Sequence, residues 1–216
     1  KAIWKISSSP AINYMSEISG KIPGKDFYLR DTSEVARDLI GKVLSRRTRD
    51  GLISGRIVET EAYLQEGDTA SHSYPGLTKR NAPMFEEGGT LYIYKIYGIH
   101  LCANIVTGKK GSGSAVLIRA CEPLEGISRM KINRGTANER ILMKGPGNCA
   151  KAFGFSLNDN FKKLFSDEIF ILDDGYSAYG IIESPRIGIS KSAELNLRYF
   201  MKASPFVSGK KFSIRN

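Results

Sequence analysis

Residues 55–106 read GRIVETEAYLQEGDTASHSYPGLTKRNAPMFEEGGTLYIYKIYGIHLCANIV. Alternating and β-branched residues predict a strand over Gly51–Tyr63, running into this stretch, and a hairpin at its far end, Gly89–Tyr97 and Ile99–Thr107, turned at Tyr97-Gly98. Between them, Pro75, Gly76 and Pro83 limit Asp68–Ser73 and Thr78–Phe85 to short helical turns. His72 therefore falls on an irregular connection, the kind of segment on which sites are common.

Working outward, residues 1–25 carry no helical or strand period and are expected to form a flexible leader, with the folded unit spanning 26–216. Asp31 or Thr32 is placed to cap a helix through Gly41, buried through Val35, Leu39 and Ile40. Val43–Arg47 and Ala115–Ala120 suit strands. Pro123–Asn133 and Thr136–Met143 suit helices, and Gly145-Pro146-Gly147 precedes another short helix through Phe153. Ile169–Leu172, Gly180–Ile189 and Leu197–Met201 are later strand candidates. Strands grouped around helices without βαβ alternation predict one mixed α+β domain: a curved, mainly antiparallel sheet, a protruding β-hairpin and surrounding helices.

Thirty-two Lys and Arg against 22 Asp and Glu give a formal charge of +10 and a pI near 9.5, which favours a polyanionic partner. Cys102, Cys121 and Cys149 have no CxxC spacing and too few histidines near them for a zinc site, so reduced, buried thiols and an intracellular location are expected. That means cytoplasm or nucleoid in a bacterium, nucleus in a eukaryote. No run has the roughly 18 apolar residues of a membrane span, so no membrane partner is expected.

Glu59 and Glu61 share one face of the predicted strand. A glycosidase of the usual kind places its carboxyls on both sides of a sugar bond, which neighbours on one strand face do not straddle. One of the two is therefore read as structural. Arg119 lies in the apolar run AVLIRA, where a guanidinium needs a carboxylate or phosphate, supplied by Glu61 or by a nucleic acid. His100 is read as a packing residue and Tyr92 as core. Tyr97, at the turn, has no sheet of its own to bury it and reads as a protruding wedge. A carboxylate, a histidine and tyrosines in a basic chain suit acid/base chemistry on a nucleic-acid base sandwiched by aromatic faces. The loop Lys109-Lys110-Gly111 fits no P-loop, and a solvated basic loop and a phosphate contact both remain open for it.

The ordered motifs ARDLIGKVL, GRIVETEAY, DTASHS, RNAPMF, GTLYIYKIYGIHLCANI, VLIRACEPLEG, GPG, PRIGI and SPFVS, from Asp26 to Ile214, resemble the alkyladenine (3-methyladenine) DNA glycosylase family. The resemblance implies that Glu61 is the general base for water attacking C1′ of a flipped nucleotide, and that Glu59 is its structural neighbour. It implies a base pocket of Ala62, Tyr63, His72, Tyr94 and Asn104, with Tyr63 and His72 on one side of the base and Tyr94 on the other. Asn104 would exclude the 2-amino group of guanine. Tyr97 would fill the gap left in the duplex, while Arg119 and the Val207 carbonyl would hold the water. No cofactor, metal or lyase step is implied, and a monomer acting on double-stranded DNA with damaged purines is expected. Asn148-Cys149, Lys109-Lys110 and the His72–Arg80 segment depart from the family pattern.

Two rival classes stay open at this point. A catalytically weak protein could capture extruded lesions in the same pocket, and a hydrolase could act on RNA or free nucleosides.

Overall fold

The structure, a computed structural model, describes residues 19–209. The expected leader lies largely outside those residues. Its described part is already packed: Lys21 exchanges backbone hydrogen bonds of 2.8 Å with Asp173, and a Cβ at Gly20 would come within 2.3 Å of the Asp173 carbonyl oxygen. Packing against the rest of the fold is thus already present at Gly20 and Lys21, before Asp26.

Helix α1 (Lys25–Tyr28) leads into α2 (Thr32–Asp38), where the Asp31 side chain accepts from the amides of Ser33 and Glu34, the cap expected. Strand β1 (Val43–Thr48) then pairs with β2 (Gly51–Tyr63), the spine of the sheet. The hairpin is β3 (Leu91–Ile96) and β4 (His100–Thr107), and β5 (Ser114–Glu125) lies between β4 and β2. With β6 (Ile169–Leu172), β7 (Ile181–Ser184) and β8 (Arg198–Met201) the sheet has eight strands in the order β3-β4-β5-β2-β1-β6, β8 branching from β2 and β7 from β8. All strand pairs are antiparallel, as the mixed α+β reading required.

One edge of β2 changes partner. Residues 51–56 pair with β1, and Glu59, Thr60 and Glu61 pair with Phe200, Tyr199 and Arg198 of β8. On its other edge the register with β5 shifts between Ile57 and Glu59 and again between Glu59 and Thr60. The bulge sits where the pair Glu59 and Glu61 begins.

One correction concerns the chain after β5. Pro123 does not open a helix. β5 continues to Glu125, past another register shift opposite Ser54 and Gly55, and α3 (Ile127–Arg134) starts only after Gly126. Gly126 takes φ +74°, and a Cβ there would lie 2.5 Å from the Leu52 carbonyl oxygen, so the reversal requires glycine. The second expected helix is reduced to a 3-10 turn over Glu139–Ile141, and the strand expected over Gly180–Ile189 keeps only Ile181–Ser184. Helix α4 (Pro146–Phe153) has proline in its first turn, as the motif suggested.

The main core joins α2, β2, β5 and α4 through Val35, Ile57, Val58, Ile118, Cys149 and Phe153, all buried. All three cysteines are free and buried, and the sulfurs of Cys121 and Cys149 lie 3.5 Å apart. His100, expected inside the sheet, is exposed: the hairpin projects beyond the core there, and the residue stands beside Gly147 instead.

Candidate active site

Alternation along β2 divides its residues between two environments. Thr60 faces the helix layer, where its hydroxyl donates to the Ala36 carbonyl at 2.8 Å. Ala62 falls on the same side as Thr60 and is wholly buried in the main core. Its side chain therefore does not line the pocket, contrary to expectation. What it offers the site is its carbonyl, which accepts from Arg186 Nη1 at 2.9 Å.

Glu59 and Glu61 project from the opposite face and are both fully buried. Glu59 accepts from Arg119 Nε (3.0 Å), Arg198 Nε (2.7 Å) and the Ser208 amide (2.6 Å). Arg198 also donates to Ser184 Oγ and the Ser208 carbonyl. Every one of these contacts ties strands and the final described segment together through Glu59.

Glu61 accepts from the Ile187 amide (2.7 Å) on Oε1, and from Arg119 Nη1 (3.1 Å) and the Tyr63 hydroxyl (2.9 Å) on Oε2. Burial raises its pKa, only partly countered by Arg119, the Ile187 amide and Tyr63. A raised carboxyl in a site is the usual condition of a general base or acid. Burial disfavours the charge on Arg119, but Glu61 and Glu59 more than restore it and raise its pKa. Arg119 thus stays a cation between the two glutamates, and its Nη2 reaches Ser208 Oγ at 3.2 Å.

The aromatic residues come next. Tyr63 stands beside Glu61, its hydroxyl held protonated by burial and by that carboxylate. His72 and Tyr94 meet edge to face, with centroids 4.5 Å apart. The two rings are in contact, whereas the expectation grouped His72 with Tyr63 and set Tyr94 opposite them. The reason lies in the connection after β2. Asn81 donates to the carbonyls of His72 and Gly76 and accepts from the Thr78 amide, folding this loop back onto the hairpin. There Tyr92, which is core as expected, places its hydroxyl 3.1 Å from His72 Nδ1.

His72 is an exposed residue, yet the part of it that is buried lowers its pKa, helped by the charge of Arg80. Burial pushes the Tyr92 hydroxyl up to about 12. The lowered pKa disfavours the imidazolium form of His72, and its Nδ1 and the Tyr92 hydroxyl share one hydrogen bond.

Asn104, opposite Tyr92 in the hairpin register, is almost fully buried and donates to the Tyr92 carbonyl at 3.1 Å. Tyr97 is 83% exposed at the hairpin tip with φ +51°, followed by Gly98 at +71°. Val207 is half-buried between Phe206 and Ser208, next to the amide that binds Glu59. Lys110 of the basic loop pairs with Glu86 at 3.6 Å on the surface.

Four residues that carry much of this geometry were not assigned roles from the sequence: Asp68, Arg186, Arg198 and Ser208. Asp68 and Arg186 form a fully buried two-pronged ion pair, both bonds 2.6 Å, although 118 residues separate them. The available signal was an arginine in the otherwise uncharged run SPRIGIS. Among the described residues no group of three or more His, Cys, Asp or Glu is placed to hold a metal ion. None of their helices is long and apolar enough to cross a membrane.

This fold and site define a class of protein whose relatives are known. Residues 26–205 match the model of the family described as methylpurine-DNA glycosylase (MPG). The chain is similar to proteins named "Putative 3-methyladenine DNA glycosylase" from several organisms. That of Koribacter versatilis is 45% identical over 86% of this chain and 92% of its own. That of Chlorobium phaeobacteroides is 47% identical over 87% of this chain and 96% of its own, and that of Chlorobaculum parvum 48% over 86% and 90%. The chain belongs to the methylpurine-DNA glycosylase family.

Proposed function

We propose that the protein is a DNA-repair glycosylase that extrudes alkylated or deaminated purines (3-methyladenine, hypoxanthine, ethenoadenine) from duplex DNA and hydrolyses the N-glycosidic bond, leaving an abasic site. The observation that carries this reading is the asymmetry of the two glutamates. Glu59 is held by two arginines and an amide, while Glu61 is held by one arginine, the Ile187 amide and the Tyr63 hydroxyl and has a raised pKa, which suits it to act as a base.

In this reading Glu61 takes a proton from water as it attacks C1′, and Arg119 steadies the carboxylate and the water. The Val207 carbonyl is a second contact for that water. The extruded base stacks between Tyr63 and the wall of His72 and Tyr94, with the His72 backbone amide at its edge. Asn104, buried and fixed by its bond to Tyr92, crowds a 2-amino group and so disfavours guanine. Tyr97 enters the duplex where the nucleotide left, which its exposure at the tip of the hairpin supports. N-alkylated purines leave readily as neutral bases because they are already cationic, whereas a neutral lesion such as hypoxanthine must also take up a proton as it departs. No lysine or terminal amine occupies the place of Glu61, so the reaction stops at the abasic site, without strand cleavage. The protein works as a monomer, and its net charge of +10 suits a duplex partner.

The test is single-turnover base release from duplexes containing hypoxanthine or ethenoadenine, followed by alkali. Breaks that appear only after alkali are expected. Tight lesion binding without release, including from methylated DNA, would replace this reading with that of a damage-binding protein.

A further inference from the structure

Behind Tyr63, on residues the proposed chemistry does not use, lies a buried charge. The guanidinium carbon of Arg186 stands 4.5 Å from the centroid of the Tyr63 ring, well within the range of a cation–π contact. Its Nη atoms are held by Asp68 and the Ala62 carbonyl, with a longer contact from Nη2 to the Ser192 carbonyl. Its Nε has no hydrogen-bond partner, so the electron-rich face of Tyr63 is the group set against this cation. Asp68 is itself fixed by the amides of Leu64 and Ala70. The ring thus has a rigid cation on one face.

We infer that Arg186, with Asp68 as its counter-ion, sets the charge selectivity of the pocket by biasing the free face of Tyr63 against cationic bases and toward neutral ones. This rests on the proposed stacking of the base on Tyr63. An aromatic ring attracts a cation through the negative charge on its face, and a cation already bound behind it weakens that attraction. A base stacked about 3.5 Å beyond the ring would lie on the order of 8 Å from the guanidinium. At an effective dielectric constant of about 20, an unpaired Arg186 would disfavour a unit positive charge there about 30-fold. The Asp68 carboxylate offsets most of this, leaving roughly a two- to threefold bias. Arg186 also acts on the Tyr63 hydroxyl to favour its ionisation, against the larger effects of burial and Glu61.

The readout is the ratio of single-turnover release of 3-methyladenine, from dimethyl-sulfate-treated duplex, to release of hypoxanthine. Asp68→Asn leaves the cation unbalanced and should lower this ratio about 10-fold. Asp68→Asn with Arg186→Gln removes both charges and should raise it about two- to threefold above wild type. Arg186→Lys keeps the charge and should keep the ratio even if both rates fall. A purely structural pair would change both rates alike, so equal ratios in all four proteins would overturn the inference. So would a ratio in Arg186→Lys matching that of the double variant. Should the double variant not fold, the direction of change in Asp68→Asn decides. If wild type releases neither base, the failure belongs to the proposed function instead.

Discussion

Glu59 and Glu61, two residues apart on one strand, share a single guanidinium: Arg119 gives Nε to the first at 3.0 Å and Nη1 to the second at 3.1 Å. Their other partners separate them. Glu59 also holds Arg198 and the Ser208 amide, whereas Glu61 holds the Ile187 amide and the Tyr63 hydroxyl.

Substituting each glutamate by glutamine should therefore give opposite results. Glu59→Gln deprives buried Arg198 of the carboxylate it pairs with, while Arg119 keeps Glu61, and should cost about 3–5 kcal/mol in urea denaturation. Glu61→Gln keeps an acceptor for Ile187 and leaves Arg119 its bond to Glu59, so stability should change little. Base release in single turnover should nevertheless drop by about 10²–10⁴-fold with lesion binding retained. Release at the wild-type rate would show that Glu61 is not the base.

Acidity should affect catalysis through the same carboxyl. Burial raises the Glu61 pKa, and the group serves as base only when deprotonated. The acid limb of hypoxanthine release should then lie above the ordinary glutamate value of about 4.3, with release falling as pH drops through it. The sign for stability is reversed. The folded protein holds this proton to higher pH than the unfolded chain, so the stabilisation from the protonated form fades as pH rises through the raised pKa. A pH–rate profile whose limb sits at or below the ordinary value would contradict the assignment.

Tyr97 should separate stability from function. It is exposed and takes a positive φ that costs a side-chain-bearing residue roughly 1–2 kcal/mol. Tyr97→Gly should thus unfold at higher denaturant than wild type, while Tyr97→Ala stays within about 0.5 kcal/mol of it. Both should lose capture of the extruded nucleotide, read by ethenoadenine fluorescence in duplex DNA. Undiminished fluorescence change would remove the wedge role.

The hairpin, the long strand and the paired glutamates were legible because each is written in local pattern: period-two alternation, a turn at Tyr97-Gly98, acids at i and i+2. The choice between the glutamates depended on the resemblance, since Arg198 and Ser208 lie 139 and 149 residues from Glu59. Pro123 misled because a helix-starting residue also fits a strand where the register shifts. Ala62 illustrates a different failure: a place in a motif does not fix which face a side chain takes, and strand alternation turned it inward. The Asp68–Arg186 pair had no local trace, since burial of both charges makes sense only once distant segments meet.

The bond from the Ser208 amide to Glu59 also bears on when the site comes into being. Glu59 is made 149 residues before the amide that completes its coordination, and contacts this distant in sequence slow folding because a long loop must close before they form. During synthesis the carboxylate, the arginine of β8 and the bulged strand must wait for that segment to emerge. A chain interrupted before residue 208 would lack the amide that completes the setting of Glu59.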